Sequence, residues 1–250
     1  MKPFRVHFSC GAASGVSLLL AARSGAEVDA VYADTGGEHH DNMRFLHDME
    51  RLTGVTVTVV RSDKYISPLD VWSRRRFIKG PAGAVCTSEL KRRPLSTFWD
   101  MDHDHVFGFD IGEGERLERI RLNEAPVVVR SLLIERRLSK ADCFQILHAN
   151  NIELPAMYRL GFNNANCIGC PKGGKGYWNK VRKHFPETFA AVAVLQRDLG
   201  RGSAFWAGDG ERLMLDELPL SAGDHTEPNI ECGLFCTDIA ARAETGEDAS

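Results

Sequence analysis

The sequence lacks an apolar run close to the ~18 residues that a membrane-spanning helix needs. It also lacks the apolar core of a secretory signal peptide, because its first strand-like residues lead directly into the polar turn Ser9-Cys10-Gly11. These absences predict a protein that contacts no membrane, and we expect it to be cytoplasmic.

An excess of charge of either sign is also missing. Lysine and arginine number 31 against 34 aspartates and glutamates, which gives a net charge of -3 at pH 7. That balance excludes a chain whose whole surface binds a polyanion. With 250 residues, 43% of them hydrophobic and 26% charged, the composition excludes wholesale disorder, collagen and coiled coil. It allows one main domain with a sizeable core.

Strand-like and helix-like segments alternate in the first part of the chain. Strands are predicted over Phe4–Phe8, Val28–Ala33 and 55–60, and helices over 16–23 and 41–52. Such alternation specifies a parallel sheet joined by right-handed crossovers. The predicted fold class is therefore α/β, with a parallel sheet.

Later in the chain the pattern is weaker. It indicates helices over 86–99, 139–150 and 177–199, the last interrupted near Pro186, and a strand over 106–109. From residue 200 onward the sequence is rich in glycine and aspartate. That composition predicts a weakly structured tail.

The run of small residues after the first strand, Ser9-Cys10-Gly11-Ala12-Ala13-Ser14, predicts an anion site. A helix begins there, so backbone N–H groups and two hydroxyls lie at the positive end of a helix dipole. A phosphate or sulfate suits such a place. The run is neither a Walker loop nor a Gly-x-Gly-x-x-Gly fingerprint. Small residues also let a helix pack tightly on a sheet, and the run alone leaves both interpretations open.

The cysteines indicate metal or redox chemistry. Seven of them, at positions 10, 86, 143, 167, 170, 232 and 236, are an odd number in a chain too long to need disulfides. Cys167 and Cys170 enclose two residues and are flanked by glycine and proline, which is typical of a metal-binding turn. Cys143 lies in an apolar helical pattern and is interpreted as a core thiol. Thiolates bind both iron–sulfur clusters and zinc, so both groups remain open.

Several segments occur in an order that resembles the phosphoadenosine phosphosulfate (PAPS) reductase family of the adenine nucleotide alpha-hydrolase, or PP-loop, superfamily. They are the loop at 9–14, Asp34-Thr35-Gly36, Cys86-Thr87-Ser88-Glu89-Leu90-Lys91-Arg92-Arg93-Pro94-Leu95, 108–116, 154–162 with Cys167-Ile168-Gly169-Cys170, and Glu231-Cys232-Gly233-Leu234. Together they extend over nearly the whole chain.

The resemblance implies the Rossmann-like α/β fold of the adenine nucleotide alpha-hydrolases, a parallel sheet with helices on both faces. It divides the chain into a nucleotide-binding domain over 1–200 and an extension over 201–250 that carries Cys232 and Cys236. It also implies that an adenine nucleotide lies across the strand ends. The residues expected to bind it are Ser9, Cys10, Gly11, Ala12, Ser14, Asp34, Thr35, Gly36, Arg92 and Arg116.

The activity that the resemblance implies is sulfonucleotide reduction, in which adenylyl sulfate (APS) or its 3'-phosphorylated form (PAPS) yields sulfite. Cys232 would attack the sulfate sulfur, Lys91 would neutralise the sulfate, and a thioredoxin-like dithiol would release sulfite. The resemblance further implies a 4Fe-4S cluster. Its expected ligands are Cys86, Cys167, Cys170 and Cys236, although Cys232 and Cys236 could exchange roles.

Two alternatives stay open. In the first, a PP-loop ATP pyrophosphatase uses ATP and Mg to adenylate a base, and the cluster supplies sulfur. Cys10 and Ala13 replace a glycine and the aspartate of the ATP-splitting loop, which argues against this alternative. In the second, zinc replaces the cluster in a non-enzymatic protein that binds a nucleotide or, through the basic run at 74–76, a nucleic acid. The sequence leaves open whether subunits form a homo-oligomer.

Overall fold

The computed structural model describes residues 2–80, 83–208, 211–223 and 230. The chain divides into two compact units. The sheet unit comprises Met1–Asp34, His39–Val60 and Pro94–Ala165, and the cysteine unit comprises Thr35–Glu38, Arg61–Arg93 and Asn166–Ser250. Within the described ranges, no helix is long and apolar enough to cross a membrane.

The elements follow one another in a largely α/β order. The strands are β1 (Phe4–Phe8), β2 (Val28–Ala33), β3 (Val57–Val60), β4 (Lys79–Gly80), β5 (Gly83–Ala84), β6 (Asp104–Val106), β7 (Val129–Arg130), β8 (Trp206–Gly208) and β9 (Glu211–Leu213). The helices are α1 (Ala12–Ala22), α2 (Asp41–Thr53), α3 (Pro68–Arg75), α4 (Val85–Thr87), α5 (Arg93–Leu95), α6 (Gly114–Glu124), α7 (Leu132–Glu135), α8 (Lys140–Ala149), α9 (Ala156–Arg159), α10 (Lys175–His184) and α11 (Pro186–Leu199).

The sheet unit is built on one parallel five-stranded sheet in the order β3-β2-β1-β6-β7. All five residues of β1 are buried, because β1 lies at the centre between β2 and β6. Right-handed crossovers place α1 and α2 on one face and α6 on the other. The predicted α/β fold with a Rossmann-like parallel sheet is confirmed. The strand order reverses between β1 and β6, and sheets of this kind bind ligands at that edge.

Helix α1 packs on α2, α7 and α8, so it is covered on several sides and carries mostly small and apolar residues. A Cβ on Gly15 would lie 2.8 Å from the Phe45 ring, so α1 and α2 approach closely at that point. Helix α8 begins at a capping box in which the Ser139 hydroxyl accepts the Asp142 N–H. Ser139 is therefore the N-cap of α8.

Two expectations for the later part of the chain need correction. The strand expected over 106–109 lies earlier, since β6 ends at Val106 and Gly108 instead packs against the Ser14 backbone. The helix expected over 86–99 is interrupted by a π-helical turn, Ser88–Arg92. The long helix over 177–199 is broken before Pro186 as predicted, giving α10 and α11. The division of the chain at residue 200 stays a prediction.

A pair of histidines is buried between the two central strands. His7 is 6% exposed and His105 fully buried, and His7 Nε2 lies 2.9 Å from His105 Nδ1. His105 Nε2 lies 2.8 Å from the Asp100 carbonyl oxygen, which can only accept, so Nε2 carries the proton and Nδ1 accepts from His7. Burial holds the pKa of His7 well below its ordinary value and lowers the pKa of His105. Both rings are neutral in this arrangement.

We expect the free energy of unfolding to fall as the pH is lowered from about 7.5 to about 5.5. The unfolded chain protonates both histidines near their ordinary pKa of about 6.5, whereas burial in the folded chain moves their protonation to lower pH. Each histidine then removes up to about 1.4 kcal/mol of stability per pH unit below that pKa. Denaturant unfolding at a series of pH values measures this slope.

The titratable groups beside the histidine pair are Arg5, Asp100 and His103. Asp100 stays ionised over this range. Although burial opposes ionisation, hydrogen bonds from His103 and Arg5 hold the pKa of Asp100 far below its usual value. His7→Leu should flatten the slope, and His148→Gln, at an exposed histidine, should leave it unchanged. Equal slopes for His7→Leu and the unsubstituted chain would contradict the interpretation.

Candidate functional site

The loop between β1 and α1 is held closed by its own hydrogen bonds. Ser14 Oγ accepts the Ser9 N–H at 3.1 Å and donates to the Gly11 carbonyl at 2.9 Å. Cys10 has a φ of 55°, in the left-handed region that costs a residue other than glycine ~1–2 kcal/mol. Glycine, which stands at the matching place of the ATP-splitting loop, adopts this φ without that cost. Cys10 is fully buried, so its side chain packs into the core beneath the loop.

Tyr158 occupies the place at the start of α1 where the sequence predicts an anion. Its hydroxyl oxygen accepts the Ala12 N–H at 3.1 Å, and a Cβ on Gly11 would lie 3.4 Å from the same oxygen. Burial raises the pKa of the phenol, so Tyr158 stays neutral. A ligand at this N–H therefore has to replace the Tyr158 hydroxyl.

The segment after β6 packs against the loop. A Cβ on Gly108 would lie 2.6 Å from the Ser14 nitrogen and 2.8 Å from the Ala13 carbonyl carbon, so the close approach requires glycine. The Arg116 guanidinium lies 4.6 Å from the centre of the adjacent Phe109 ring and 2.5 Å from Glu113 Oε1. The structure thus brings Ser14 and the segment beside Arg116 to the edge where the strand order reverses. Asp34, which directly follows β2, lies at the same edge because the strands are parallel.

Three cysteines of the cysteine unit line one pocket. They are Cys86, in α4, and the pair Cys167 and Cys170. Its free volume, including the part open to solvent, is about 370 Å³. Lys91 and Lys172 also lie on its wall, which is otherwise mostly apolar. The described cysteines form no disulfide with one another. Folding therefore gathers thiols that are far apart in the sequence.

The segment that follows Asp34 contacts one of these thiols. Cys167 Sγ lies 3.2 Å from Thr35 Oγ1 and donates to Glu38 Oε1 at 3.5 Å. The Glu38 side chain is only 6% exposed, and its other oxygen accepts the Thr35 N–H at 3.1 Å. Lys91 Nζ lies 3.6 Å from Glu38 Oε1. A buried carboxylate needs such a cation and such donors. Thiol, carboxylate and ammonium therefore form one cluster.

Tyr177 fixes the turn that carries the cysteine pair. Its hydroxyl accepts the Cys170 N–H at 2.9 Å and donates to the Cys167 carbonyl at 2.8 Å. A Cβ on Gly173 would lie 2.0 Å from the Tyr177 ring, so glycine is required there. Gly169, inside the turn, has a φ of 80°. The backbone between the two thiols is thus held by the Tyr177 side chain.

The donors in the pocket suit a sulfur-ligated metal group. Thiolates are preferred ligands of zinc and of iron–sulfur clusters. Among the residues that the structure describes, no three His, Cys, Asp or Glu side chains gather closely enough to hold one metal ion. A cubane cluster binds each cysteine through a different iron, so its ligands surround a space. Three thiols around one pocket suit that geometry. Cys236, the expected fourth ligand, lies outside the described residues.

A second observation points to a bound group in this pocket. Trp72, on the pocket wall, is 2% exposed, and its indole N–H has no hydrogen-bond partner in the described part of the chain. Buried polar groups are almost always hydrogen-bonded, so each exception needs an explanation. A sulfur-containing group in the pocket would supply an acceptor.

The remaining predicted residues lie as follows. Arg92 is half-buried in the same π-helical turn as Lys91. Cys143 is a core thiol as interpreted, and burial raises its pKa to about 12. Cys232, the expected nucleophile, lies outside the described residues, and its role stays a prediction. The basic run at 74–76 has a carboxylate near each guanidinium, namely Asp70, Glu89 and Asp198. This pairing weakens the run as a nucleic-acid contact.

Three residues of the site were not found from the sequence. Glu38 comes four positions after Asp34. A polar residue so close to the end of β2 is enough to mark it as a candidate site residue. Tyr158 lies inside the segment 154–162, but nothing in that pattern indicates contact with the loop. Trp72 falls on the buried face of α3 with Pro68, and such spacing alone indicates only packing.

The family resemblance is confirmed over the first third of the chain. Residues 3–82 match the sequence model of the phosphoadenosine phosphosulfate reductase domain. This range contains the loop at 9–14 and Asp34-Thr35-Gly36. It ends before Cys86 and the cysteine pair, so the match does not extend to the thiols.

Two relatives are uncharacterized proteins of Methanocaldococcus jannaschii. The chain is 26% identical over 199 residues to MJ0066, covering 74% of this chain and 40% of that protein. It is 23% identical over 199 residues to MJ0973, covering 76% of this chain and 47% of that protein. The chain thus spans less than half the length of these relatives. A crystal structure of phosphoadenylyl-sulfate reductase from Candida auris, in complex with phosphate, matches with a TM-score of 0.49 at 12% identity, over 64% of this chain and 80% of that one.

Proposed function

We propose that this chain, whose residues 3–82 match the phosphoadenosine phosphosulfate reductase domain, is a sulfonucleotide reductase that converts an adenylyl sulfate to sulfite. The observation that carries the proposal is the pocket that Cys86, Cys167 and Cys170 share with Lys91. A nucleotide-binding domain with gathered thiols and a cation suits the transfer of an anionic sulfur group.

The sheet unit would bind the nucleotide at the edge where the strand order reverses. Ser9 is exposed and Gly11 is half-exposed, so these two residues present the loop to a ligand. The Ser14 hydrogen bond and the close approach of Gly108 already hold the loop backbone in place. Binding of the nucleotide would therefore cost little conformational entropy in the loop. Arg116 would contribute positive charge toward the phosphate.

The cysteine unit would hold a 4Fe-4S cluster on Cys86, Cys167 and Cys170, with Cys236 as the fourth ligand. When bound, the cluster would supply a sulfur-ligated iron centre to this unit. Lys91, already beside Glu38, would neutralise negative charge next to the thiolates. Thr35 would hold Cys167 in position through its hydroxyl.

The reaction would proceed by thiolate attack. The Cys232 thiolate attacks the sulfate sulfur, an S–S bond forms, and the O–S bond to the nucleotide phosphate breaks, so that the nucleotide leaves as its phosphate. One thiolate of an external dithiol then attacks Cys232 Sγ and displaces sulfite. The second thiol closes the disulfide and regenerates the Cys232 thiolate. Sulfur gains two electrons, and the dithiol is oxidised.

Turnover of APS and PAPS tests the proposal directly. We expect the full chain to release sulfite from one of these substrates when a reduced thioredoxin is present. Cys232→Ser should lose sulfite release entirely, because the S-sulfonate cannot form, whereas Cys143→Ala should keep it. A coupled sulfite assay measures the rate.

Other outcomes separate the alternatives. Release of pyrophosphate from ATP only when a base-containing acceptor is present would replace the proposal with an adenylating enzyme. A colourless protein with stoichiometric zinc and no turnover of APS, PAPS or ATP would favour a non-enzymatic binding protein.

A further inference from the structure

The indole of Trp72 lies in an unusual position for a buried tryptophan. Its N–H has no hydrogen-bond partner among the residues that the structure describes, although the side chain is almost fully buried. Trp72 lies on the wall of the pocket that Cys86, Cys167 and Cys170 line. An unsatisfied donor on a side chain that lines a thiol pocket points to an occupant that accepts a hydrogen bond.

Local structure explains how Trp72 reaches the pocket. Helix α3 begins at Ser67, whose hydroxyl accepts the Asp70 N–H. Pro68 and Trp72 are four residues apart, so they lie on the same face of the helix, and both line the pocket. Helix α3 also packs on α4, which carries Cys86. The indole is therefore fixed by the same contacts that position a candidate ligand.

We propose that the Trp72 indole N–H donates a hydrogen bond to a sulfur atom of the metal group bound in this pocket, and so stabilises that group. The proposal rests on the proposed metal binding of the cysteine unit. The sulfur belongs to a cysteine thiolate or to a cluster sulfide. Both carry negative charge when the metal is bound, and a donated hydrogen bond stabilises that charge.

Trp178 provides a matched control. Its indole N–H is also buried without a partner in the described part of the chain, and its side chain is fully buried in the same unit. Trp178 does not line the cysteine pocket. Replacing either tryptophan with phenylalanine removes one indole N–H and leaves an aromatic ring, but only Trp72→Phe removes a donor from the pocket wall.

The experiment uses the full chain, Trp72→Phe and Trp178→Phe, each purified without oxygen. Each protein is titrated with Zn²⁺ against a chromophoric chelator. Each is also reconstituted with ferrous iron and sulfide, and the visible absorption is followed after a chelator is added. We expect Trp72→Phe to bind Zn²⁺ about 10-fold more weakly or to lose its iron–sulfur absorption about 10-fold faster. Trp178→Phe should match the unsubstituted chain.

The outcomes distinguish this inference from the proposed function. If the unsubstituted chain binds metal and Trp72→Phe matches it in both titrations, the inference about Trp72 is wrong and the proposed site stands. If the unsubstituted chain binds neither group, both fail. If Trp72→Phe does not fold, the indole proton resonances of the unsubstituted chain are compared with and without Zn²⁺, and Trp99→Phe, Trp178→Phe and Trp206→Phe assign the other three signals, so that the remaining one belongs to Trp72. The Trp72 resonance should shift downfield on metal binding, and an unchanged resonance would overturn the inference.

Discussion

Cys167→Ser is expected to weaken metal binding by more than ~100-fold, because residues that only support a ligand already contribute ~10- to 100-fold. Serine keeps the size of the side chain but replaces a thiolate with a poor metal ligand. Cys86→Ser and Cys170→Ser should behave in the same way, since both thiols line the same pocket. Iron, zinc and sulfide analysis of protein purified without oxygen measures the loss.

Cys143→Ser is the matched control for these variants. It makes the same chemical change at a buried thiol of the sheet unit, where it should lower stability but leave the metal content unchanged. Full metal content in Cys167→Ser would remove that residue from the ligand set. Equal losses in Cys143→Ser and Cys167→Ser would show that the effect comes from destabilised folding.

Gly108→Ala is expected to lower the free energy of unfolding by ~1–3 kcal/mol or more and to weaken nucleotide binding. The added Cβ would lie within 2.8 Å of three backbone atoms of the loop, at Ala13 and Ser14, and backbone cannot move aside as a flexible side chain can. The loop must therefore shift. Denaturant unfolding and calorimetric titration with a nonhydrolysable adenine nucleotide measure the two effects.

Gly114→Ala separates crowding from the general effect of replacing glycine. Gly114 begins α6, and no atom lies within 4 Å of a Cβ placed there. Alanine at this helical position should be neutral or stabilising, by up to about 1 kcal/mol. If Gly108→Ala binds nucleotide as tightly as Gly114→Ala, the loop does not form the nucleotide site.

The sheet could be predicted from the sequence because its signals are local. The first two strands match the observed β1 and β2, since each is a short segment rich in apolar residues that ends at small or polar residues. The two-residue strand β7 was missed, because Val129 and Arg130 join the sheet only through their pairing with β6. The small residues of 9–14 also proved to serve two purposes, since they fold the loop tightly and allow Gly108 to approach.

The site was predictable only in part. Spacing identified Cys167 and Cys170, and the family resemblance added Cys86, but no pattern links these thiols to Glu38 or Trp72. Those contacts depend on tertiary packing that brings 35–38 and 68–72 against the cysteine pair. Such contacts have no fixed sequence spacing, so periodicity does not detect them.

The Tyr158 hydroxyl acts as an internal competitor for any anion that approaches the start of α1. A typical hydrogen bond in a folded protein has a net value of about 1 kcal/mol, which is about a five-fold difference in affinity. A weakly held ion such as chloride gains little from taking the Ala12 N–H away from the Tyr158 phenol. A ligand with further attachment points across the sheet edge can overcome the difference. For the proposed nucleotide substrate, the tyrosine would thereby raise the minimum affinity required for occupancy and favour a large, multiply charged ligand over simple salts.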